Sequence, residues 1–339
     1  MSSHENILNL ETRLRSERAL PLIMSADDAA RLITDGMAVG ISGFTNAGYP
    51  KVVPHALAEQ IKNGRKIKIE LYSGASVGPE VDTELTEAGA VARRLPYQTN
   101  STLRKAINTG DIDYIDMHLG RSPEFIAAGH VRKPDIALVE ALAITEDGHL
   151  IPTTSVGNTP TYVAEADAVI VEIAMSKPLA LEGMADVYMC QKPPCRQPIP
   201  LTHPGDRIGT PYIPCGWDKI KAIVISDRSD LTRPLAAISE DSKKIGQNII
   251  RFFEDEVAAG RLGKSLLPIQ SGVGSVANAV LYGLRDSAFE GLTCYTEVIQ
   301  DSMLDLVKCG KADIASCTAL APSPEAQTAF FDDIDFYKE

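Results

Sequence analysis

The chain has 339 residues, too many for one ordinary domain and well suited to two of moderate size. Apolar residues make up 44% and charged residues 23%, the balance of a soluble globular protein with a sizeable core. The formal charge is −12, and no basic cluster occurs beyond pairs such as Arg93-Arg94 and Lys243-Lys244, which excludes nucleic acid as an expected partner.

No apolar run approaches the roughly 18 residues of a membrane span. Met1–Leu20 carries Glu5, Glu11 and Glu17, unlike a transit peptide or a secretory leader, so no membrane is expected and the cytoplasm is the expected compartment. The six cysteines do not form a dense disulfide framework in a chain of this length. Cys190, Cys195 and Cys215 have no close CxxC pairing and would have to recruit His203 to bind metal, so ordinary thiols and no metal are expected.

The first clear helix opens at Ser25, a cap followed by Asp27 and Asp28 at the positive end, and Gly36 can stop it. An apolar run, Met37–Ile41, leads into the glycine loop Ser42–Pro50 and a second helix over about Lys51–Ile61. Ile67–Tyr72 reads as a strand that ends in the small-residue turn Ser73–Gly78. Further strands are expected at Ile112–Met117, Ile136–Leu142, Ala168–Ile173 and Lys221–Ser226, with a hairpin around Asp147-Gly148. Near-continuous apolar strands separated by helices point to a largely parallel α/β sheet.

Lys192–Gly216 is crowded with proline and is expected to be irregular. Asp227–Pro234 reads as an inter-domain connection, dividing residues 1–228 from residues 229–339. A long helix is expected from Leu235, with Ile245, Ile249 and Val257 on one face and Gly260 as its stop. Then an earlier order returns: a short extended run, Leu266–Gln270, the loop Ser271–Ser275, a helix from Val276 to Leu284, a strand from Leu292 to Tyr295 and a helix from Val298 to Cys309. This is a weak internal duplication, and in open α/β sheets ligands collect at the carboxyl ends of the strands.

Glu297 stands out because it falls between the expected strand and the start of an amphipathic helix. There, unsatisfied backbone N–H groups and the helix dipole would favour a carboxylate able to act as a nucleophile. Acidic residues also occupy first turns merely to complement the dipole. The neighbouring loop Gln270–Gly274 adds weight, since glycines let backbone N–H groups approach an oxyanion or a phosphate, although a tight strand-to-helix turn would need them too. The six histidines show no metal spacing and no nucleophile elbow is present.

Eight segments in order resemble the acetyl-CoA hydrolase/transferase family, which includes succinyl-CoA:acetate and propionyl-CoA:succinate CoA-transferases. They are Ser42-Gly-Phe-Thr-Asn-Ala-Gly-Tyr-Pro-Lys51, Gly74-Ala-Ser76, Pro96-Tyr-Gln-Thr99, Asp116-Met-His-Leu119, Ser155-Val-Gly-Asn158, Asp206-Arg-Ile-Gly209, Leu267-Pro-Ile-Gln-Ser-Gly-Val-Gly274 and Thr296-Glu-Val-Ile-Gln-Asp301. The resemblance implies two related open, mostly parallel α/β domains of the CoA-transferase (NagB/RpiA-like) type. It implies that Glu297 is acylated by an acyl-CoA, that Gln270, Ser271, Gly272, Val273 and Gly274 serve the oxyanion and CoA, and that Ser73, Gly43, Phe44 and Thr45 face the acyl group or acceptor carboxylate. It also implies coenzyme A and small carboxylic acids as substrates, no permanently bound cofactor, and a homodimer or a need for a C-terminal half. Two departures stand against it. Asp230 is followed by Leu231 where the family often has Arg, with Arg228 and Arg233 as candidates to substitute. Family members also continue well beyond this length, with a Gly-Gly-Ser-Gly loop that completes the oxyanion site, so the second domain is expected to be incomplete.

Overall fold

A computed structural model describes residues 10–44, 46–232 and 237–338. The chain divides into two compact units. The first comprises Met1–Ile199 and Ile208–Leu231, the second Pro200–Arg207 and Thr232–Glu339.

In the first unit, Ser25 caps α1 (Ala26–Arg31) by accepting a hydrogen bond from the Asp28 N–H, as its position before two aspartates predicts. Strand β1 (Ala38–Ile41) follows, then α2 (Val52–Lys62), β2 (Ile69–Tyr72), β3 (Val91–Leu95), α3 (Ser101–Asn108), β4 (Asp113–Tyr114) and α4 (Ser122–Ala127). Strand β5 (Ile136–Ala141) leads into the small antiparallel hairpin of β6 (Ala143–Ile144) and β7 (Leu150–Ile151), then α5 (Thr159–Glu165), β8 (Ala168–Ala174) and β9 (Ile220–Ser226). Seven of these strands make one sheet in the order β4-β3-β2-β1-β5-β8-β9, and every pairing in it is parallel.

The strands are apolar on both faces because both are covered. Val39, Ile41, Leu138 and Ile170 pack with Val53 and Leu57 of α2 on one side. Ala38, Val139, Val169, Val171 and Ile173 pack with Tyr162, Val163 and Trp217 on the other. Chain order reverses between β1 and β5. The Ser42–Pro50 loop, which leaves the carboxyl end of β1, therefore sits at the switch point where open α/β sheets form their crevice.

One expectation needs correction here. The strand expected over Ile112–Met117 is reduced to Asp113–Tyr114, because it lies at the sheet edge and pairs only with Arg93 and Arg94. The basic pair Arg93-Arg94 belongs to β3, and the Arg94 guanidinium is buried 3.3 Å from the Asp82 carboxylate. The proline-rich stretch Lys192–Gly216 carries no helix or strand of its own, as expected.

The second unit contains α6 (Glu240–Ala258), α7 (Ser275–Asp286), β10 (Leu292–Ile299), α8 (Asp301–Lys308), β11 (Ala312–Leu320), α9 (Pro324–Asp332) and α10 (Ile334–Lys338). Helix α6 starts later than its apolar period suggests. Ser239 caps it through the Ser242 N–H, and Leu235 lies outside the described residues. Strands β10 and β11 pair in parallel. Among the described residues, no helix is long and apolar enough to cross a membrane, and no group of three or more His, Cys, Asp and Glu could hold a metal ion.

Candidate active site

In the second unit, the chain ahead of the glycine loop runs as a further parallel edge beside β10. The Ile269 N–H donates to the Thr293 carbonyl at 2.8 Å, and the Tyr295 N–H donates to the Ile269 carbonyl at 2.9 Å. The run ends where Thr296 holds it. The Thr296 hydroxyl donates to the Ser271 carbonyl at 2.9 Å and accepts from the Ser271 N–H at 3.3 Å. Beyond this clasp the loop stands open. Gln270 and Gly272 are exposed, Val273 is 61% exposed, and Gly274, at φ +123°, leads directly into α7. A Cβ at Gly272 or Gly274 would meet nothing within 4 Å.

Glu297 is the residue after that threonine. It lies inside β10, not at a helix N-terminus, since the strand continues to Ile299 and α8 begins at Asp301. The expected dipole argument therefore falls away, and strand alternation takes its place. Leu292, Cys294, Thr296 and Val298 are buried on one face, while Tyr295 and Glu297 are exposed on the other. The clasp thus ties the Ser271–Gly274 loop to the residue that precedes Glu297, whose own side chain lies on the opposite, exposed face of β10.

The residues expected to face the acyl group are held differently. Phe44 and Ala47 close a tight turn through reciprocal backbone hydrogen bonds of 3.0 and 2.9 Å, with Thr45 between them outside the described residues. Phe44 is buried, and a Cβ at Gly43 would stand 2.6 Å from the Tyr49 Cβ. Ser73 has no exposed surface. Its hydroxyl donates to the Ala75 carbonyl at 2.6 Å, and its own carbonyl accepts from the Tyr162 hydroxyl at 2.7 Å. The Phe44 and Ser73 side chains are therefore buried.

Sequence reasoning missed what locks this loop. Lys51, Glu140, Lys177 and Asp230 form a buried ring of alternating charge. Lys51 Nζ contacts Glu140, and it lies 2.8 Å from Asp230 Oδ1. Lys177 Nζ is 2.5 Å from Glu140 Oε1 and 2.7 Å from Asp230 Oδ2. Thr153 and Thr154 donate to Glu140 and Asp230, and the Gly48 N–H donates to Asp230 Oδ2 at 3.2 Å. Burial works to raise the Asp230 carboxyl, but Lys177 and Lys51 overcome it and hold that group well below the usual carboxylate range. Burial likewise works to lower the Lys51 ammonium, and Glu140 and Asp230 overcome it to raise that group.

Beside the ring, Glu172 is the register partner of Glu140. It accepts the Lys51, Val52 and Val53 N–H groups at 2.7, 3.1 and 2.7 Å, capping α2, whose own N-cap residue Lys51 makes no side-chain cap. Burial pushes the Glu172 carboxyl up to about 7, against the pull of those N–H groups. A legible signal existed: a single glutamate stands inside each of the otherwise apolar runs Ile136–Ala141 and Ala168–Ala174.

An open parallel α/β sheet with a glycine loop at its switch point, followed by a second α/β unit with a parallel strand pair and another glycine loop, defines an α/β protein of two units. The chain belongs to the acetyl-CoA hydrolase/transferase family, since residues 9–232 match the acetyl-CoA hydrolase/transferase N-terminal domain. It is 53% identical over 330 residues to a succinyl-CoA:acetate CoA-transferase of Clostridium kluyveri, an alignment covering 97% of this chain and 61% of that protein. It is 38% identical over 343 residues to an acetyl-CoA hydrolase of Yarrowia lipolytica, covering 97% of this chain and 65% of that protein. The chain thus spans less than two thirds of the length of these relatives. Its fold is similar to that of the 4-hydroxybutyrate CoA-transferase of Porphyromonas gingivalis, with a TM-score of 0.58 at 15% identity, covering 97% of this chain and 67% of that one.

Proposed function

We propose that this chain carries the nucleophile of an acyl-CoA:carboxylate CoA-transferase, with Glu297 as that nucleophile. The observation that supports this reading is the clasp between Thr296 and Ser271, which ties the open glycine loop to the residue next to Glu297 in β10, where Glu297 itself is exposed. A carboxylate oxygen of Glu297 attacks the thioester carbonyl, the carbon–sulfur bond breaks, and CoA leaves as thiolate. The thiolate attacks the glutamyl carbonyl of the resulting anhydride. This releases the donor carboxylate and leaves a glutamyl-CoA thioester. An acceptor carboxylate attacks that thioester, forming a second anhydride, and the returning thiolate takes the acceptor's acyl group and frees Glu297. The energy of the thioester is kept throughout.

The N–H groups of Val273 and Gly274 are the donors for the oxyanions, and Gln270–Gly272 border the CoA. By the family resemblance, the first domain, residues 1–228, contributes Gly43, Phe44, Thr45 and Ser73 toward the acyl or acceptor carboxylate. Residues 229–339 carry the nucleophile. Acetyl-, propionyl- or succinyl-CoA and their acids are the substrate class, and the working unit is a homodimer or includes further chain. A relative named as a hydrolase supports a second reading in which water takes the acceptor's place.

Incubation with acyl-CoA followed by borohydride or hydroxylamine is expected to shift the mass of the Glu297 peptide. Glu297→Ala is expected to lose that label and several orders of magnitude of turnover while its circular dichroism stays unchanged. An active or labelled alanine variant overturns the assignment. CoA release that ignores added acetate or succinate selects the hydrolase.

A further inference from the structure

Within the proline-rich stretch, Pro200–Arg207 belongs to the second unit although the residues on either side belong to the first. It is held as a strap across one face of the β10–β11 pair. The Ser316 hydroxyl donates to the Pro204 carbonyl at 2.6 Å, and Pro204 is buried. Gly205 lies so close to Ile314 that a Cβ there would stand 2.5 Å from its Cδ1. Register fixes which face this is. Ile314 pairs with Thr293 and Ser316 with Tyr295, so the strap lies on the side of the sheet that Tyr295 and Glu297 share. Ser316 is one strand across and two residues back from Glu297, roughly 8 Å at the Cα atoms.

The strap is internally braced. The Asp206 carboxylate accepts the Thr202 and His203 N–H groups at 2.8 Å each and the Thr202 hydroxyl at 2.9 Å, while the Asp206 N–H donates to the His203 carbonyl at 3.0 Å. The Thr202 hydroxyl is thereby engaged and Pro204 serves as the anchor. His203 is exposed at the crown of the turn. Its Nδ1 accepts the Gly205 N–H at 3.1 Å, which assigns the proton of the neutral ring to Nε2 and leaves Nε2–H as its donor.

We propose that Pro200–Arg207 is a specificity wall for the group carried on Glu297, and that His203 Nε2–H is the donor that meets the distal carboxylate of a dicarboxylic acyl group. The role rests on Glu297 being the nucleophile. A short monocarboxylic acyl group on Glu297 ends before it reaches the strap. A dicarboxylic one extends toward β11 with a charge at its tip, and a braced N–H there favours it over the monocarboxylic competitor.

The test compares succinyl-CoA with acetyl-CoA as donors in the whole protein. His203→Phe keeps a ring and removes the donor, while His203→Gln restores an N–H. Wild type is expected to be labelled at Glu297 by both donors. His203→Phe is expected to lose about tenfold in kcat/KM for succinyl-CoA, the worth of one hydrogen bond to a charged group, with acetyl-CoA changed less than about twofold. His203→Gln is expected to recover most of the loss. Equal losses on both donors, no loss on either, a glutamine variant as impaired on succinyl-CoA as the phenylalanine one, or a wild type inactive with succinyl-CoA overturns the inference while Glu297 labelling still stands. A wild type not labelled at Glu297 overturns the proposed function and this inference with it.

Discussion

The Ser42–Gly48 loop and the Ser271–Gly274 loop share a plan and differ in setting. Each leads from an extended run into a helix, β1 to α2 and the edge run at Ile269 to α7. In the first unit the loop is locked. Asp230 takes the Gly48 N–H, Ser155 donates to the Ala47 carbonyl, the Asn158 N–H donates to Ser42, and a charged ring is buried beneath. In the second unit Thr296 clasps only Ser271, and the glycines beyond it face open space. Similar sequence chemistry therefore serves two ends. Glycine in the first loop relieves crowding, and in the second it stands in open space. A glycine loop predicts a close approach without saying whether the approaching group is the protein's own or a ligand.

The largest effect that would break this contrast comes from the ring. Lys177→Met leaves Glu140 and Asp230 with one ammonium between them in a buried place. It should cost about 3–5 kcal/mol of first-unit stability, read by chemical denaturation, because an uncompensated buried charge remains. A loss below about 1 kcal/mol would mean that the ring is not what locks the loop.

Glu172 sharpens the same point through pH. Its folded value, about 7, lies above the ordinary 4.5. Between those values the folded state holds a proton that the unfolded state has released, so stability falls as pH rises. The contribution is full below about pH 4.5, lost on passing about pH 7, and worth about 3 kcal/mol from a shift of this size. Glu172→Gln should flatten thermal stability across that window, and a variant with the wild-type slope would assign the slope to another group.

The smallest effect separates the loops directly. Gly48 has φ +62° and a Cβ there would stand 2.5 Å from the Ser155 hydroxyl oxygen, whereas Gly274 has φ +123° and free space around it. Alanine strains the backbone at both places. Gly48→Ala should exceed Gly274→Ala by about 1–3 kcal/mol in unfolding free energy, the cost of overpacking. Equal costs would place both loops in the same class.

Periodicity and punctuation made much of the fold legible. Ser25 before Asp27-Asp28 marked α1, and the apolar runs at Ile136 and Ala168 marked β5 and β8 as strands buried on both faces. Strand β3 was hidden because Arg93-Arg94 interrupts its apolar run, and Asp82 together with the Leu95 and Ala75 carbonyls makes a buried Arg94 tolerable. Glu297 was expected at a strand-to-helix junction and lies inside β10. Strand and helix compete for Thr296–Gln300, and pairing with β11 through Ile299 decides for strand.

Sequence alone therefore determined most of the helices and strands and the parallel α/β class, because alternation, caps and glycines are local properties of the chain. Tertiary structure alone decided which glycine loop is closed, which face of β10 bears the carboxylate, that four charges distant in sequence share one buried ring, and that Pro200–Arg207 crosses to the second unit. These depend on register and on contacts between residues far apart in the chain, where no local pattern carries the information.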